Sequence, residues 1–357
     1  MSGRAERLCE LLPDAGVDVM LVTALSNVRY LTGYTGSNGL ALIGADTRAF
    51  VTDFRYLEQA AHEVERSFAR RQAPVDLLDR VGEQLPGTPL RLGFEDAHVS
   101  VRDYRRLREL LPGGVELVAA GGLVERLRAV KEPHEIERIR VAAAIADHAF
   151  EELIGQGLVG RSERELASDL ERAMLARGAH RPSFETIVAG GPHGALPHAQ
   201  PRDVELGRGE LVVIDWGAQV DGYCSDCTRT VATGDPGEDA WRVHGLVLEA
   251  QLQGVGAIKA GASGRAVDGV AREVIEAGGQ GKHFGHGLGH GVGLEVHEAP
   301  RLSQRSEDEL AAGNVVTVEP GVYLPELFGV RIEDLVVVTE GGCEVLTSLP
   351  KELIVCG

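Results

Sequence analysis

Residues 211–231 read LVVIDWGAQVDGYCSDCTRTV. The run is a hairpin, with strands from Leu211 to Gln219 and from Tyr223 to Val231 joined by a turn containing Asp221-Gly222. In an antiparallel pair, directly opposed residues have numbers that sum to a constant, and they share one face of the sheet. Asp215 and Asp226 centre on 220.5, within this turn, so a tight closure is expected to set the two carboxylates across from each other. Further on, Val315 to Glu319 and Val330 to Thr339 form a second hairpin, and Glu319 and Glu333 centre on 326 inside its loop. Two helices precede each hairpin. The first pair is opened by Lys131-Glu132-Pro133, with proline in a first turn that does not need its N–H, and by Ser162-Glu163-Arg164-Glu165 at capping-box spacing. The second pair covers Asp239 to Lys259 and Arg265 to Ala277. Helix, helix, hairpin therefore occurs twice, which predicts an α+β domain of pseudo-twofold repeats with antiparallel hairpins under helices.

Four carboxylates converging in a core cannot all stay ionised unless cations accompany them. Hard divalent ions remove the objection, and two of them, about 3.5 to 4 Å apart, would use these side chains and leave room for an imidazole. The imidazole is available between His283 and Glu298, a window holding four of the twelve histidines, His283, His286, His290 and His297. Its alternating glycines, Gly285 to Gly293, let the backbone run close to a ligand. They fit neither a phosphate loop nor a dinucleotide fingerprint, and His297-Glu298 lacks the second histidine of a zincin helix. An isolated strand acid is usually a solvated residue. Asp215 follows Val212-Val213-Ile214, however, and Glu333 precedes Leu335-Val336-Val337-Val338, so both adjoin buried runs where an unpaired charge is costly. His283 reads as an ordinary loop residue, and His180, His193 and His244 as surface or packing residues. Cys224 and Cys227, spaced to face opposite sides of a strand, cannot share a metal through their sulfurs.

The first third alternates strand and helix signals. Strands are expected at Asp18 to Val22, Leu40 to Ile43, Ala49 to Thr52, Arg91 to Phe94 and Val115 to Ala119. Helices are expected at Ala5 to Leu12, from Arg55, after Pro74 and from Val101, whose Arg102 to Arg108 cluster reads as a solvated face. The alternation breaks at Ala120-Gly121-Gly122, which predicts an α/β domain over residues 1–125 and a second domain over 131–357, in keeping with two domains for 357 residues. Hydrophobic residues make up 43% and charged ones 25%, as in globular chains. The net charge of −18 repels phosphate backbones and anionic membranes, so neither nucleic acid nor a membrane is an expected partner. The start mixes charges into helically spaced apolar residues, without the apolar core and cleavage site of an export signal. With five irregularly spaced cysteines, the expectation is a cytoplasmic protein with reduced thiols.

These motifs carry a resemblance. Val213-Ile214-Asp215-Trp216-Gly217, Ser225-Asp226-Cys227-Thr228-Arg229-Thr230, His286-Gly287-Leu288-Gly289-His290 through Val296-His297-Glu298, Val318-Glu319-Pro320-Gly321 and Val330-Arg331-Ile332-Glu333-Asp334 resemble the pita-bread metallopeptidases, in the Xaa-Pro aminopeptidase and prolidase branch. Tyr30-Leu31-Thr32-Gly33-Tyr34-Thr35-Gly36-Ser37-Asn38-Gly39 and Asp53-Phe54-Arg55-Tyr56 resemble that branch's creatinase-like N-terminal domain. The resemblance implies metal ligands Asp215, Asp226, His290, Glu319 and Glu333, and a substrate site with His198 and His297 on the tetrahedral intermediate and His286 toward the leaving group. Arg331, two residues from Glu333 on one strand face, suits a partner of a ligand carboxylate and a substrate contact. Arg301 matches a basic residue that in prolidases meets the free carboxylate of a C-terminal proline.

The implied reaction is hydrolysis of the bond before proline in a di- or oligopeptide by a water bridging two cations, acidified toward a pKa of roughly 7, with Glu319 moving the proton to the leaving nitrogen. Manganese is the expected metal, with cobalt or zinc as substitutes, and a homodimer the expected assembly. Two other functions share the fold: a small-molecule C–N hydrolase, ectoine-type or creatinase-like, and a non-catalytic pita-bread binding module. Creatinases typically lack the full ligand set, and the intact five disfavour a module.

Overall fold

The computed structural model describes residues 3–356. The chain divides into two compact units, the first ending at Arg128 and the second beginning at Ala129. In order, the first contains α1 (Arg4–Leu11), β1 (Val19–Val22), α2 (Leu25–Thr32), β2 (Leu40–Gly44), β3 (Thr47–Thr52), α3 (Leu57–Glu63), β4 (Ala69–Gln72), β5 (Leu90–Phe94), α4 (Val101–Leu110), β6 (Val115–Ala119) and α5 (Leu123–Ala129). Its six strands form one sheet in the order β4-β3-β2-β1-β5-β6, with β2 antiparallel to both neighbours and the other pairs parallel. Leu21, Leu42, Val51, Leu92 and Leu107 are buried in its core.

Four features of this unit depart from the sequence reading, the first being helix α2, which the alternation of signals did not predict. The helix expected after Pro74 is only a pair of short 3₁₀ turns, Leu77–Arg80 and Gly82–Gln84, because Gly82 and Pro86-Gly87 interrupt any longer run. Strand β4, Ala-Arg-Arg-Gln, has no apolar alternation because it is the sheet's edge, where charged side chains are the normal protection. Helix α5 occupies the stretch that reads as a break in the pattern.

The second unit begins with α6 (Pro133–Gly155) and α7 (Glu163–Ala176), each opened by a complete capping box, Glu132 with Glu135 and Ser162 with Glu165. Strands β7 (Arg181–Pro182), β8 (Ile187–Gly190), β9 (Leu211–Trp216), β10 (Ala218–Val220), β11 (Tyr223–Cys224) and β12 (Cys227–Ala232) follow. After α8 (Glu238–Ala257) and α9 (Gly264–Ala277) come β13 (Gly289–Gly291), β14 (Glu298–Leu302), β15 (Val315–Val318), β16 (Gly321–Leu324), β17 (Phe328–Arg331), β18 (Asp334–Val338), β19 (Cys343–Val345) and β20 (Ile354–Val355).

Each helix pair covers its own sheet, and a further cluster joins the two, with Ile139 and Ala143 of α6 against Val292, Val315 and Leu335. Ala146, Phe150, Leu166 and Leu170 of α6 and α7 pack on Val212, Ile214 and Trp216 of β9. The Phe150 and Trp216 rings stack at 4.5 Å, and the indole donates to Ala146 O. Likewise Val243, Val247, Ala250 and Ala271 of α8 and α9 pack on Val316, Val318 and Val336. Since side chains alternate along a strand, the residues between these apolar positions, Asp215 on β9 and Thr317 on β15, point away from the helices. Glu319 continues the Thr317 face just beyond β15. This alternation gathers the site on the surface the helices leave uncovered. Among the described residues, no helix is long and apolar enough to cross a membrane.

Candidate metal centre

The first hairpin closes one position later than its acids suggest. Val220 pairs with Tyr223 and Gln219 with Cys224, so Asp221 and Gly222, both at positive φ, are the two central turn residues favoured between twisted strands. The midpoint moves to 221.5, Asp215 faces Thr228, and Asp226 falls diagonally from Asp215 rather than across from it. Residues two apart on one strand share a face, so the diagonal still brings both acids to one side. The second hairpin closes about residue 326, from Gly321 with Arg331 to Leu324 with Phe328. Val318 pairs with Asp334 in the same register, which sets Glu319 opposite Glu333. His290 is the central residue of β13. A Cβ at Gly289 or Gly291 would overlap the carbonyl oxygens of Thr317 or Ala299, so only glycines let the neighbouring strands close on both sides of this imidazole.

Asp226, His290 and Glu333 each offer a ligand atom within 4.8 Å of the other two. His290 Nε2 is 3.3 Å from Glu319 Oε1 and 3.7 Å from Asp226 Oδ2. Thr228 Oγ1 donates to Glu333 Oε2 at 2.7 Å, and Thr317 Oγ1 to Glu319 Oε1 at 3.1 Å. Asp215 receives Arg331 Nη2 on Oδ2, while its buried Oδ1 has no hydrogen-bond partner. Burial pushes the Asp226 and Glu333 carboxyls well above the usual carboxylate range, and the neighbouring carboxylates push them further. Burial also raises Asp215, with Arg331 opposing it. For Glu319, burial is outweighed by the nearby His290, His286 and Arg331, which draw it below its ordinary value. An acid cluster that is self-repelling, buried and left with an orphan oxygen is a donor set for hard cations, and the residues fit such a group.

The five candidate ligands line one cleft of about 640 Å³ together with His198, His286, His297, Arg301 and Arg331. His283 is absent from its wall. His198, His297 and Arg301 are exposed at the cleft, and the His297 ring lies 4.3 Å from that of His290. His286 Nε2 is 2.9 Å from Tyr323 Oη. Arg331 meets a ligand carboxylate, as the sequence reading expects. The partner is Asp215 across the cleft rather than Glu333 on its own strand, and Tyr323 Oη, Pro197 O and Thr228 Oγ1 accept from its other nitrogens. Thr228, Thr317 and Tyr323 escaped the sequence reading. Thr228 could have been found, because it shares a strand face with Asp226.

Residues 137–340 match metallopeptidase family M24, and residues 4–130 match the creatinase/prolidase N-terminal domain. The chain belongs to metallopeptidase family M24. An uncharacterized peptidase of Bacillus subtilis is 44% identical over 99% of each chain, and an Xaa-Pro dipeptidase of Pyrococcus furiosus is 37% identical over 99% of this chain and 100% of the other. Among solved structures, an Xaa-Pro dipeptidase from Bacillus anthracis superposes with a TM-score of 0.95 at 42% identity, and an X-Pro aminopeptidase from Thermotoga maritima with 0.89 at 40%, both over 99% of each chain. As an M24 metallopeptidase, with a creatinase-type N-terminal domain and a pita-bread domain, the protein works with divalent metal ions.

Proposed function

We propose that this M24 enzyme is an exopeptidase that hydrolyses the bond between any residue and a following proline, with two divalent cations per chain, manganese by preference. Supporting this is the coincidence, in one cleft, of the buried carboxylate and imidazole cluster with an apolar wall of Phe184, Ile187, Pro197 and Pro201 suited to a pyrrolidine ring. Full-length relatives that are Xaa-Pro dipeptidases point the same way. Residues 131–357 carry the catalysis.

Asp215, Asp226, His290, Glu319 and Glu333 would hold the ions. Bound there, divalent cations supply Lewis acidity and an acidified water. Thr228 and Arg331 keep the Glu333 and Asp215 carboxylates oriented through the hydrogen bonds described above, and the buried Arg331 also holds the Pro197 carbonyl. His198 and His297, exposed at the cleft, donate to the scissile carbonyl oxygen as charge develops on it. Glu319 has Oε1 tied to Thr317, and its other oxygen carries the proton to the imino nitrogen of the departing proline. His286, steadied by Tyr323 Oη, faces the leaving group. Arg301, which has no side-chain partner among the described residues, clamps the free carboxylate of a C-terminal proline, so dipeptides are the favoured substrates. A reducing cytoplasm suits the five free cysteines, and a homodimer is the assembly to look for by light scattering.

Activity of the metal-loaded protein on Ala-Pro, Ala-Pro-Ala and creatine tests the reading. Release of proline from Ala-Pro is the expected result. Turnover of creatine with neither peptide cleaved would favour a small-molecule C–N hydrolase instead.

A further inference from the structure

His198 sits in a segment without regular structure beyond one 3₁₀ turn, Gly191–Ala195, running from the end of β8 to Arg202. Five consecutive residues of it, Pro197 to Pro201, line the cleft. A segment of this kind would ordinarily be mobile, yet catalytic groups need positioning to within a fraction of an ångström. The carboxylate of Glu163, the first residue of α7, is 1% exposed and lies behind this segment rather than in the cleft. Gly190 N donates to its Oε1 at 3.0 Å, at the segment's beginning. The His193 ring nitrogen Nδ1 meets both oxygens, at 3.0 and 2.9 Å. At the segment's end Arg202 closes on it three times, through its backbone N–H at 2.9 Å, Nε at 3.1 Å and Nη2 at 2.9 Å. Burial alone would favour a neutral carboxyl, but Arg202, the two backbone N–H groups and His193 outweigh it and hold the group below its usual carboxylate value.

The helix explains why the anion sits there. Glu163 follows the Ser162 cap, where unpaired backbone N–H groups favour negative charge, and the reciprocal Ser162–Glu165 pair leaves its side chain free to turn inward. Pinning both ends and the middle of a connection to one buried point removes most of the freedom left to the residues between. The far side of the segment is held by Arg331 at Pro197 O. Gly190, His193, Arg202 and Arg331 thus bracket His198 from both directions.

We infer that Glu163 is a positioning residue for catalysis: it clamps the 190–202 segment so that His198 is presented to the substrate carbonyl. The inference rests on the assignment of His198 made above. The test is a double-mutant cycle with Glu163→Gln and His198→Ala on the metal-loaded full chain, with metal content and thermal midpoint measured for every variant. Glu163→Gln should lower kcat on Ala-Pro by ten- to a hundredfold, with KM changed less than threefold and metal content intact. In the His198→Ala background the same change should cost less than threefold, because the group it positions is already gone. Arg202→Ala, which removes one half-exposed arm of the clamp, gives a milder loss of the same pattern and serves if Glu163→Gln does not fold. Equal losses in both backgrounds, or wild-type kcat in folded Glu163→Gln and Arg202→Ala variants, would overturn the inference. If His198→Ala itself retains full activity, it is the reading of His198 that falls.

Discussion

Arg331 Nη2 donates to Asp215 Oδ2 at 2.5 Å, joining the strand pair after α9 to the strand under α6 and α7. Arg331 is buried and Asp215 nearly so, and the other Asp215 oxygen is unsatisfied. A lysine at 331 cannot reproduce the planar fork that also reaches Tyr323, Thr228 and Pro197. Arg331→Lys is therefore expected to weaken metal binding by about ten- to a hundredfold, the usual scale for a partner that orients a ligand. Calorimetric titration with manganese measures it, and an unchanged affinity would refute the role.

The proposed ligands and the proposed substrate histidines should separate by metal content. His290→Ala and Asp226→Ala should empty at least part of the site and abolish turnover. His198→Ala and His297→Ala should keep their metal while kcat falls by two to three decades, the scale of one lost oxyanion donor. Elemental analysis beside steady-state kinetics decides, and a His297→Ala protein stripped of metal contradicts the division of roles.

The stoichiometry is a prediction of its own. Reloading after dialysis against a chelator should restore activity in proportion to a second equivalent of ion. Full activity at one ion per chain would rule out a dinuclear centre.

The role proposed for Arg301 makes a prediction about peptide length. Arg301→Ala should lower kcat/KM on Ala-Pro by about ten- to a hundredfold and affect Ala-Pro-Ala much less, since only the dipeptide offers its proline carboxylate to the guanidinium. Equal losses on the two substrates would make the enzyme an aminopeptidase by preference.

Away from the cleft, His244 predicts an acid-sensitive step in stability. It is buried in α8, its Nε2 has no partner, and burial lowers its pKa to about 4. In the unfolded chain it titrates near 6.5. Between those values the unfolded state binds more protons than the folded one, so stability falls as pH falls. His244→Leu removes this dependence. From pH 7 to pH 4.5 the variant should gain about 2 to 3 kcal/mol relative to wild type, read from urea unfolding of the two proteins side by side. A constant difference would mean that His244 titrates in the fold as it does in the unfolded chain.

The catalytic unit was legible wherever its signals are local. The caps at Glu132 and Ser162, the alternation that aims Asp215 away from Ile214 and Trp216, and the register that opposes Glu319 to Glu333 can all be read from a few neighbouring residues. The offset at Asp215 and Asp226 could not be, because turn type rather than the acids sets the midpoint, and Asp221 had to adopt positive φ for the turn to centre where it does. Strand β4 was hidden by its position at an edge. Glu163 entered the sequence reading only as part of the Ser162–Glu165 capping run, since its partners His193 and Arg202 stand 30 and 39 residues away and nothing local announces them. Arg331 was read as the partner of a ligand carboxylate, but which one was not legible, since Asp215 stands 116 residues away.

Asp215 and Asp226 hang from strands covered by α6 and α7, whereas His290, Glu319 and Glu333 hang from strands covered by α8 and α9. A cation bound among them adds a cross-link between two halves that already share the Ile139, Val315 and Leu335 cluster and the Arg229–Asp334 ion pair. Free metal concentration then becomes a variable of cohesion as well as of turnover: a hundredfold excess over the dissociation constant adds about 2.7 kcal/mol to the folded state.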